Sequence, residues 1–277
     1  MEALRRVNEL RLLRAVGPLR KVAGRLAWLI IEARLVRERG RYVGNTLRPS
    51  RSPRCYHLRS TDSPFYLRHH TGDVAIFRKF AAYRYYDFPA EIAERLKGKK
   101  IAVVDLGANI GLFGVHARAH LDVADIVSFE PDEHNAAVVE KVIEASDGAW
   151  QLIRACASNR DGETRFTSGR ANLSRISETG SVVPLVDAVP YLLAADLAKV
   201  NIEGAEWDIL ADERFVAHAP DVLILEYHEI ASPEPQIHSL AARLLADAGY
   251  ENQVLVNRSS ANGLIWAWKS SSIQARS

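Results

Sequence analysis

The segment Ile101-Ala102-Val103-Val104-Asp105-Leu106-Gly107-Ala108-Asn109-Ile110-Gly111, followed by Ile126-Val127-Ser128-Phe129-Glu130-Pro131, constrains the fold more than any other stretch. An apolar run through Val103 and Val104 reads as a buried strand. Gly107 and Gly111 let the chain turn sharply and approach a ligand, and the residues after Gly111 start a helix whose first amides face the same crevice. Glu130 lies 23 positions after Gly107 at the end of the next apolar run, where a carboxylate accepts hydrogen bonds from ribose hydroxyls. The pattern is strand, turn, helix, strand, with an adenosine-type ligand at the carboxyl edge.

Spacing narrows the ligand. A dinucleotide site requires G-x-G-x-x-G, which seats a pyrophosphate on a helix N-terminus. This chain has Gly107-x-x-x-Gly111 preceded by Asp105. A carboxylate at that turn repels a pyrophosphate and attracts an ammonium, such as the one S-adenosylmethionine carries beside its sulfonium. A competing reading gives Asp105 only a helix-capping role.

Three further blocks support a resemblance. Lys199-Val200-Asn201-Ile202-Glu203-Gly204-Ala205-Glu206-Trp207-Asp208-Ile209-Leu210 resembles the K-x-D-x-E-G-x-E block of the FkbM-type S-adenosylmethionine-dependent methyltransferases. Leu67 to Phe77 with Tyr83 looks like that family's entry segment, and Leu223-Ile224-Leu225-Glu226-Tyr227-His228 like its later strand. The match runs from about Tyr56 to Trp268. It implies a Rossmann-like class I methyltransferase fold, a seven-stranded, mostly parallel α/β sheet with helices on both faces, and S-adenosyl-L-methionine as cofactor. Carried over by position, the cofactor residues are Asp105, Gly107, Ala108, Asn109, Gly111, Glu130, Pro131 and Asn201. The implied activity is O-methylation of a hydroxyl on a sugar, glycan or polyhydroxylated metabolite. The family usually has Asp where this chain has Asn201, which removes a charge and keeps an oxygen acceptor.

Alternating strand and helix signals agree with that architecture. Strands are expected at 101–106, 125–130, 151–155, 198–203, 221–227, 251–257 and 263–268, the last two forming an antiparallel hairpin. Helices are expected near 111–120, 133–146, 205–212 and 235–248. An insert from Ser158 to Ala195 holds a turn at Asp161-Gly162-Glu163 and the polar stretch Gly169 to Arg175. Its position over the carboxyl edge suits acceptor recognition, and a surface excursion without a role is equally open.

Methyl transfer to a hydroxyl needs alignment and a base. His228 is the first candidate base because imidazole titrates near neutrality and follows the apolar strand Val222-Leu223-Ile224-Leu225. A hydrogen-bonded structural histidine is the rival reading. Glu203 and Glu226 are further catalytic candidates, and Glu206 reads better as a structural group at a helix start. Asn201, Glu203 and Glu226 could jointly ligate a hard cation, but any crevice of this kind collects such oxygens, so no metal is predicted.

Charge divides the chain. Residues 1–54 carry fourteen Lys or Arg against four Asp or Glu, a net of +10, so the remainder of a chain with net +2 carries −8. Residues 1–55 read as a basic helical arm and linker, with residues 40–60 irregular, and 56–277 as the methyltransferase domain with an entry segment over 56–98. Near its N-terminal part the entry segment shows a strand at 64–68, then a helix or turn through 75–86 and a helix over 89–96. In the arm, Leu19, Val22, Leu26, Leu29, Ile30 and Ala33 recur at helical spacing, with Arg20, Lys21, Arg25 and Arg34 on other faces. That stripe docks on the catalytic domain or a second subunit in a homo-oligomer, or it lies on an anionic membrane surface. No nucleic-acid partner is expected, since the arm lacks interleaved aromatics. Its longest apolar run is too short to span a bilayer. Two cysteines, Cys55 and Cys156, suit a reducing cytoplasm. Asn201 and the arm also motivate a second reading, a membrane-associated scaffold that keeps the fold and has lost the chemistry. A nicotinamide-dependent dehydrogenase is disfavoured by the glycine spacing.

Overall fold

The computed structural model describes residues 17–167, 175–176 and 180–270, apart from the side chains of 17–21 and 175–176. The polar stretch from Gly169 to Ser174 and the side chain of Leu19 therefore lie outside the described residues. The chain forms two compact units, Met1–Asp87 and Phe88–Ser277.

In the first unit, α1 (Gly17–Leu35) and α2 (Arg39–Leu47) precede a hairpin of β1 (Arg54–His57) and β2 (Pro64–Leu67). Then α3 (Asp73–Phe77) runs into a π-helical turn over Arg78–Ala82. The linker expected over 40–60 is in fact largely ordered. Its Arg, Pro and Ser content hid Tyr42, which is buried and donates a hydrogen bond from its hydroxyl to Glu32 Oε2 at 3.0 Å. Tyr42 packs with Tyr56, Phe65 and Phe77 into an aromatic core. Those contacts bind the early part of the expected entry segment to the arm's helices, so the division between units falls at Asp87.

His69 anchors the same core. Its ring nitrogens face Thr46 Oγ1 at 3.0 Å and the Tyr56 hydroxyl at 2.7 Å. Burial pushes its pKa down to about 4, so the ring is neutral at pH 7 and mediates between two hydroxyls.

The second unit begins with α4 (Ala90–Leu96). Alternation then follows: β3 (Ile101–Leu106), α5 (Leu112–His120), β4 (Val123–Phe129), α6 (Glu133–Glu144) and β5 (Ala149–Ile153). After an insert come β10 (Leu197–Val200), α8 (Glu206–Leu210), α9 (Glu213–His218), β11 (Val222–His228), α10 (Ile237–Asp247), β12 (Asn252–Arg258) and β13 (Asn262–Trp268). The sheet order is β12-β13-β11-β10-β3-β4-β5. All neighbouring pairs are parallel except those made by β13, which runs against both β11 and β12. This is the expected seven-stranded, mostly parallel Rossmann-like sheet.

Its apolar runs follow from double burial. Every residue of β11, Val222 to His228, is buried, which a strand covered on both faces requires. Trp207, Leu210, Phe215, Leu240 and Leu245 from the flanking helices share a core with Val104, Leu106, Val200, Leu223 and Leu225. Several boundaries shift by a few residues from expectation, and two of the shifts have a clear local cause. β10 ends at Val200 instead of 203, because Glu203 and Gly204 take positive φ of 53° and 112° and end the extended backbone. The expected helix over 205–212 stops at Leu210, and Asp212 starts α9 by accepting from the Arg214 backbone N–H at 2.9 Å.

The insert builds a second sheet, order β6-β9-β7-β8, from β6 (Cys156–Ser158), β7 (Gly162–Thr167), β8 (Arg175–Ile176) and β9 (Ser181–Asp187), and then α7 (Val189–Ala194). Cys156, Phe166 and Leu185 form its own small core. Arg214 fastens it to α9 by reaching Asp187 Oδ2 at 2.6 Å and the Asn159 carbonyl at 2.8 Å.

Close packing decides some residue choices. A Cβ on Gly114 of α5 would stand 2.4 Å from the Trp150 ring, whose Nε1 donates to Ser128 Oγ at 3.0 Å. Gly114→Ala is expected to lower stability by about 1–3 kcal/mol through overpacking. In denaturant titrations the Gly114→Ala/Trp150→Leu pair should cost clearly less than the sum of the single variants.

Candidate functional site

The chain leaves β3 for β4 and β5 on one side, then returns to β10 and continues to β11 on the other. β3 and β10 thus flank the switch point at which open α/β sheets bind ligands, beyond the carboxyl ends of the strands. Asp105, Gly107 and Asn201 lie at these two strand ends.

Asp105 is fully buried and accepts from Lys199 Nζ at 2.8 Å. Lys199 also donates to the Gly107 carbonyl at 2.9 Å. One Asp105 carboxylate oxygen is thus already paired, since a buried charge requires a partner and Lys199 supplies it. Lys199 was legible only as part of a family block. A lone lysine in the otherwise apolar strand Leu197–Val200 was itself the signal, because it demands a buried acid.

The glycine turn has a second reason besides the sharp turn expected of it. Gly107 has φ of +80°, and a Cβ there would sit 1.9 Å from the Asn201 carbonyl oxygen. Closure of the two strand ends against each other therefore requires this glycine, apart from any ligand. Gly107 and Ala108 both donate backbone N–H groups to the Phe129 carbonyl, at 3.0 and 2.9 Å, which ties the turn to the end of β4. Gly111, at φ +79°, ends the turn as the residue before α5.

On the β4 side, Glu130 gathers three donors. The Asn109 backbone N–H reaches Oε2 at 2.7 Å, while the Asp132 N–H and Asn135 Nδ2 reach Oε1 at 3.0 and 3.4 Å. Burial pushes its pKa up to about 7 in spite of those bonds. Pro131 follows in the half-buried entry to α6, whose first turn is capped by the Asp132 carboxylate, accepting from His134 and Asn135 at 2.9 and 3.0 Å. Asp105 Oδ2 and Asn109 Oδ1 remain buried acceptors with no hydrogen-bond partner among the described residues.

At the β10 and β11 ends, Asn201 Nδ2 donates to Glu226 Oε2 at 2.8 Å. Aspartate at 201 would set two carboxylates against each other there, and the amide turns that repulsion into a hydrogen bond. Beside it, Glu206 is fully buried and accepts from the Gly204 N–H at 2.6 Å and the His228 N–H at 2.7 Å. Its Oε1 lies 3.1 Å from His228 Nδ1, and Glu203 Oε2 lies 3.6 Å from Nε2. Burial opposes protonation of His228, but the hydrogen bond to Glu206 and the charges of Glu206, Glu203 and Glu226 outweigh it, so its pKa is raised. The structure brings all three catalytic candidates into this cluster, and it adds Glu206 as the group that orients the ring. Among the described residues no cluster of His, Cys, Asp and Glu has the form of a metal site.

No family model and no curated protein sequence matches the chain. Solved structures similar to it include P. horikoshii TYW2 in complex with MeSAdo, at 15% identity over 81% of this chain and 74% of that one, with a TM-score of 0.42. Methyltransferase FkbM from Methylobacillus flagellatus KT is 14% identical over 71% of this chain and 54% of that one, TM-score 0.42. The M. jannaschii tRNA m1G37 methyltransferase is 9% identical over 79% and 55%, TM-score 0.44. At such identities and scores the likeness carries nothing about substrate.

The buried ion pair gives a stability test. Lys199→Met leaves the Asp105 charge uncompensated and is expected to cost about 3–5 kcal/mol. Lys199→Met/Asp105→Leu should recover much of that loss in chemical denaturation, because no buried charge then remains.

Proposed function

We propose that the chain is an S-adenosylmethionine-dependent methyltransferase of the FkbM type that methylates a hydroxyl of a sugar, glycan or other polyhydroxylated metabolite. The observation that carries the donor is the turn between β3 and α5. It holds two buried acceptors without donors among the described residues, Asp105 Oδ2 and Asn109 Oδ1, beside the Glu130 carboxylate at the end of β4. The donor's amino-acid part brings an ammonium with three N–H bonds, and its ribose brings two hydroxyls, so the donor set fits the acceptor set. When bound, it supplies an electrophilic methyl on a sulfonium.

Asp105, Gly107, Ala108, Asn109 and Gly111 would hold the amino-acid side of the donor, Glu130 and Pro131 the ribose side, and Asn201 the edge of the crevice. Glu130, buried and close to half-charged at neutral pH, ionises more fully when hydroxyls donate to it. Binding should therefore release protons near pH 7. Calorimetry with S-adenosylhomocysteine at pH 6.5, in buffers of different ionisation heat, is expected to show that release. Glu130→Ala should abolish it and weaken binding about ten- to hundredfold, the worth of one or two hydrogen bonds to a charged group. Absence of binding at millimolar concentration would sink the assignment of the donor.

The His228 cluster supports an oxygen nucleophile, since a hydroxyl must lose a proton as it is methylated. His228 Nε2 takes that proton, Glu206 holds Nδ1–H in place, and Glu203 with Glu226 favours the imidazolium that forms. The bound donor would supply the methyl group to that oxygen, its sulfur keeping the electron pair of the bond that breaks. A raised pKa keeps His228 protonated, and so inactive as a base, to higher pH than an ordinary histidine. Labelled S-adenosylmethionine incubated with glycans, glycolipids and small metabolites of the source cell identifies the acceptor. With it, kcat/KM should rise with pH through a limb above the usual histidine value of about 6.5. His228→Ala should remove the limb and lower kcat about 10²- to 10⁴-fold. A profile unchanged in that variant would reject His228 as the base.

A further inference from the structure

The first unit presents an apolar row that its own packing leaves uncovered. On α1, Val22, Leu26 and Ile30 stand one helical turn apart and are 64, 58 and 47% exposed. The same row ends on the exposed Arg34, and exposed Arg25 lies on its flank. Neither arginine pairs with a carboxylate among the described residues. Packing takes the C-terminal end of that face and the helix's other side: Ala33 is buried, and Trp28 lies tilted at 5.5 Å from Tyr83 and under the Arg78 guanidinium.

The only carboxylate in α1 is Glu32, and it is turned inward, 2% exposed, accepting from Tyr42 and ion-paired to Arg78. The outer face of α1 is thus apolar and cationic, without counter-charge. Of the stripe read in the sequence, Ala33 at its C-terminal end is covered, and Val22, Leu26 and Ile30 are exposed.

We propose that this face binds the surface of an anionic lipid bilayer, with Val22, Leu26 and Ile30 entering the interface and Arg25 and Arg34 meeting lipid phosphates. Charge complementarity selects this occupant. A second copy packed on the same row would bring like charges together with no acid to offset them, and a nucleic acid would leave the apolar row in water. A helix lying in the interface needs an apolar face and a basic one, and no bilayer-spanning length. Among the described residues no helix is long and apolar enough to cross a membrane. The segment of residues 1–54, with net +10, adds long-range attraction to an anionic surface.

The test is cosedimentation of the full chain with vesicles of phosphatidylcholine alone or mixed equally with phosphatidylglycerol. Binding is expected only to the anionic vesicles, and it should weaken at least tenfold between 0.1 and 0.5 M NaCl. Leu26→Glu/Ile30→Glu should reduce it more than tenfold while unfolding midpoint and S-adenosylhomocysteine affinity stay unchanged, since both side chains are exposed and outside the proposed cofactor site. Arg25→Glu/Arg34→Glu should do the same with a flatter salt dependence. Equal binding to both vesicle types, no binding to either, or wild-type binding by the Leu26→Glu/Ile30→Glu variant would overturn the proposal. A dimer in sedimentation velocity that Leu26→Glu/Ile30→Glu splits would also overturn it, in favour of a second copy.

Discussion

The buried pair of Asp105 and Lys199 is the interaction on which the crevice depends. Each charge taken from water is tolerable only because the other lies 2.8 Å away in the sheet interior. The pair also joins β3 to β10, the strands between which the chain reverses its winding, and Lys199 extends the link to the Gly107 carbonyl. One cation therefore fixes the strand ends and the glycine turn together. With the turn fixed, the Asn109 amide meets the Glu130 carboxylate.

Two ways of holding a carboxylate divide the labour in the crevice. Glu130 is fed by neutral amides, and burial raises its pKa to about 7 in spite of them. Glu206 is fed by two backbone N–H groups and a histidine, and it holds that histidine's ring in place. Asn201 separates the two regions and gives Glu226 a donor in place of a second negative charge. The amide at position 201 is thus matched to its neighbour.

The apolar runs of β3, β10, β11 and β13 were readable because burial on both faces leaves no room for polar residues except where a partner waits. Short elements were not readable. α9, α7 and the strands of the insert are set by contacts distant in sequence, such as Arg214 with Asp187 and Asn159. α2 was obscured by its arginines, since Tyr42 alone carries its buried face. Of the site residues, Glu130, Glu203, Glu226 and His228 were legible from their places at strand ends. Lys199 and Glu206 emerge as the groups that organise them only once the partners are in view.

By itself the sequence determined the strand-turn-helix-strand unit, the glycine spacing unsuited to a pyrophosphate and the separation of a basic arm from an acidic body. These are local properties of pattern, backbone freedom and charge. Tertiary structure alone decided that Asp105 pairs with Lys199, that Gly107 makes room for the Asn201 carbonyl, that His228 rests between two glutamates and that the α1 row stays open to solvent. Each is a pairing between residues far apart in the chain or a face left over after packing, and neither can be expressed in the order of the residues.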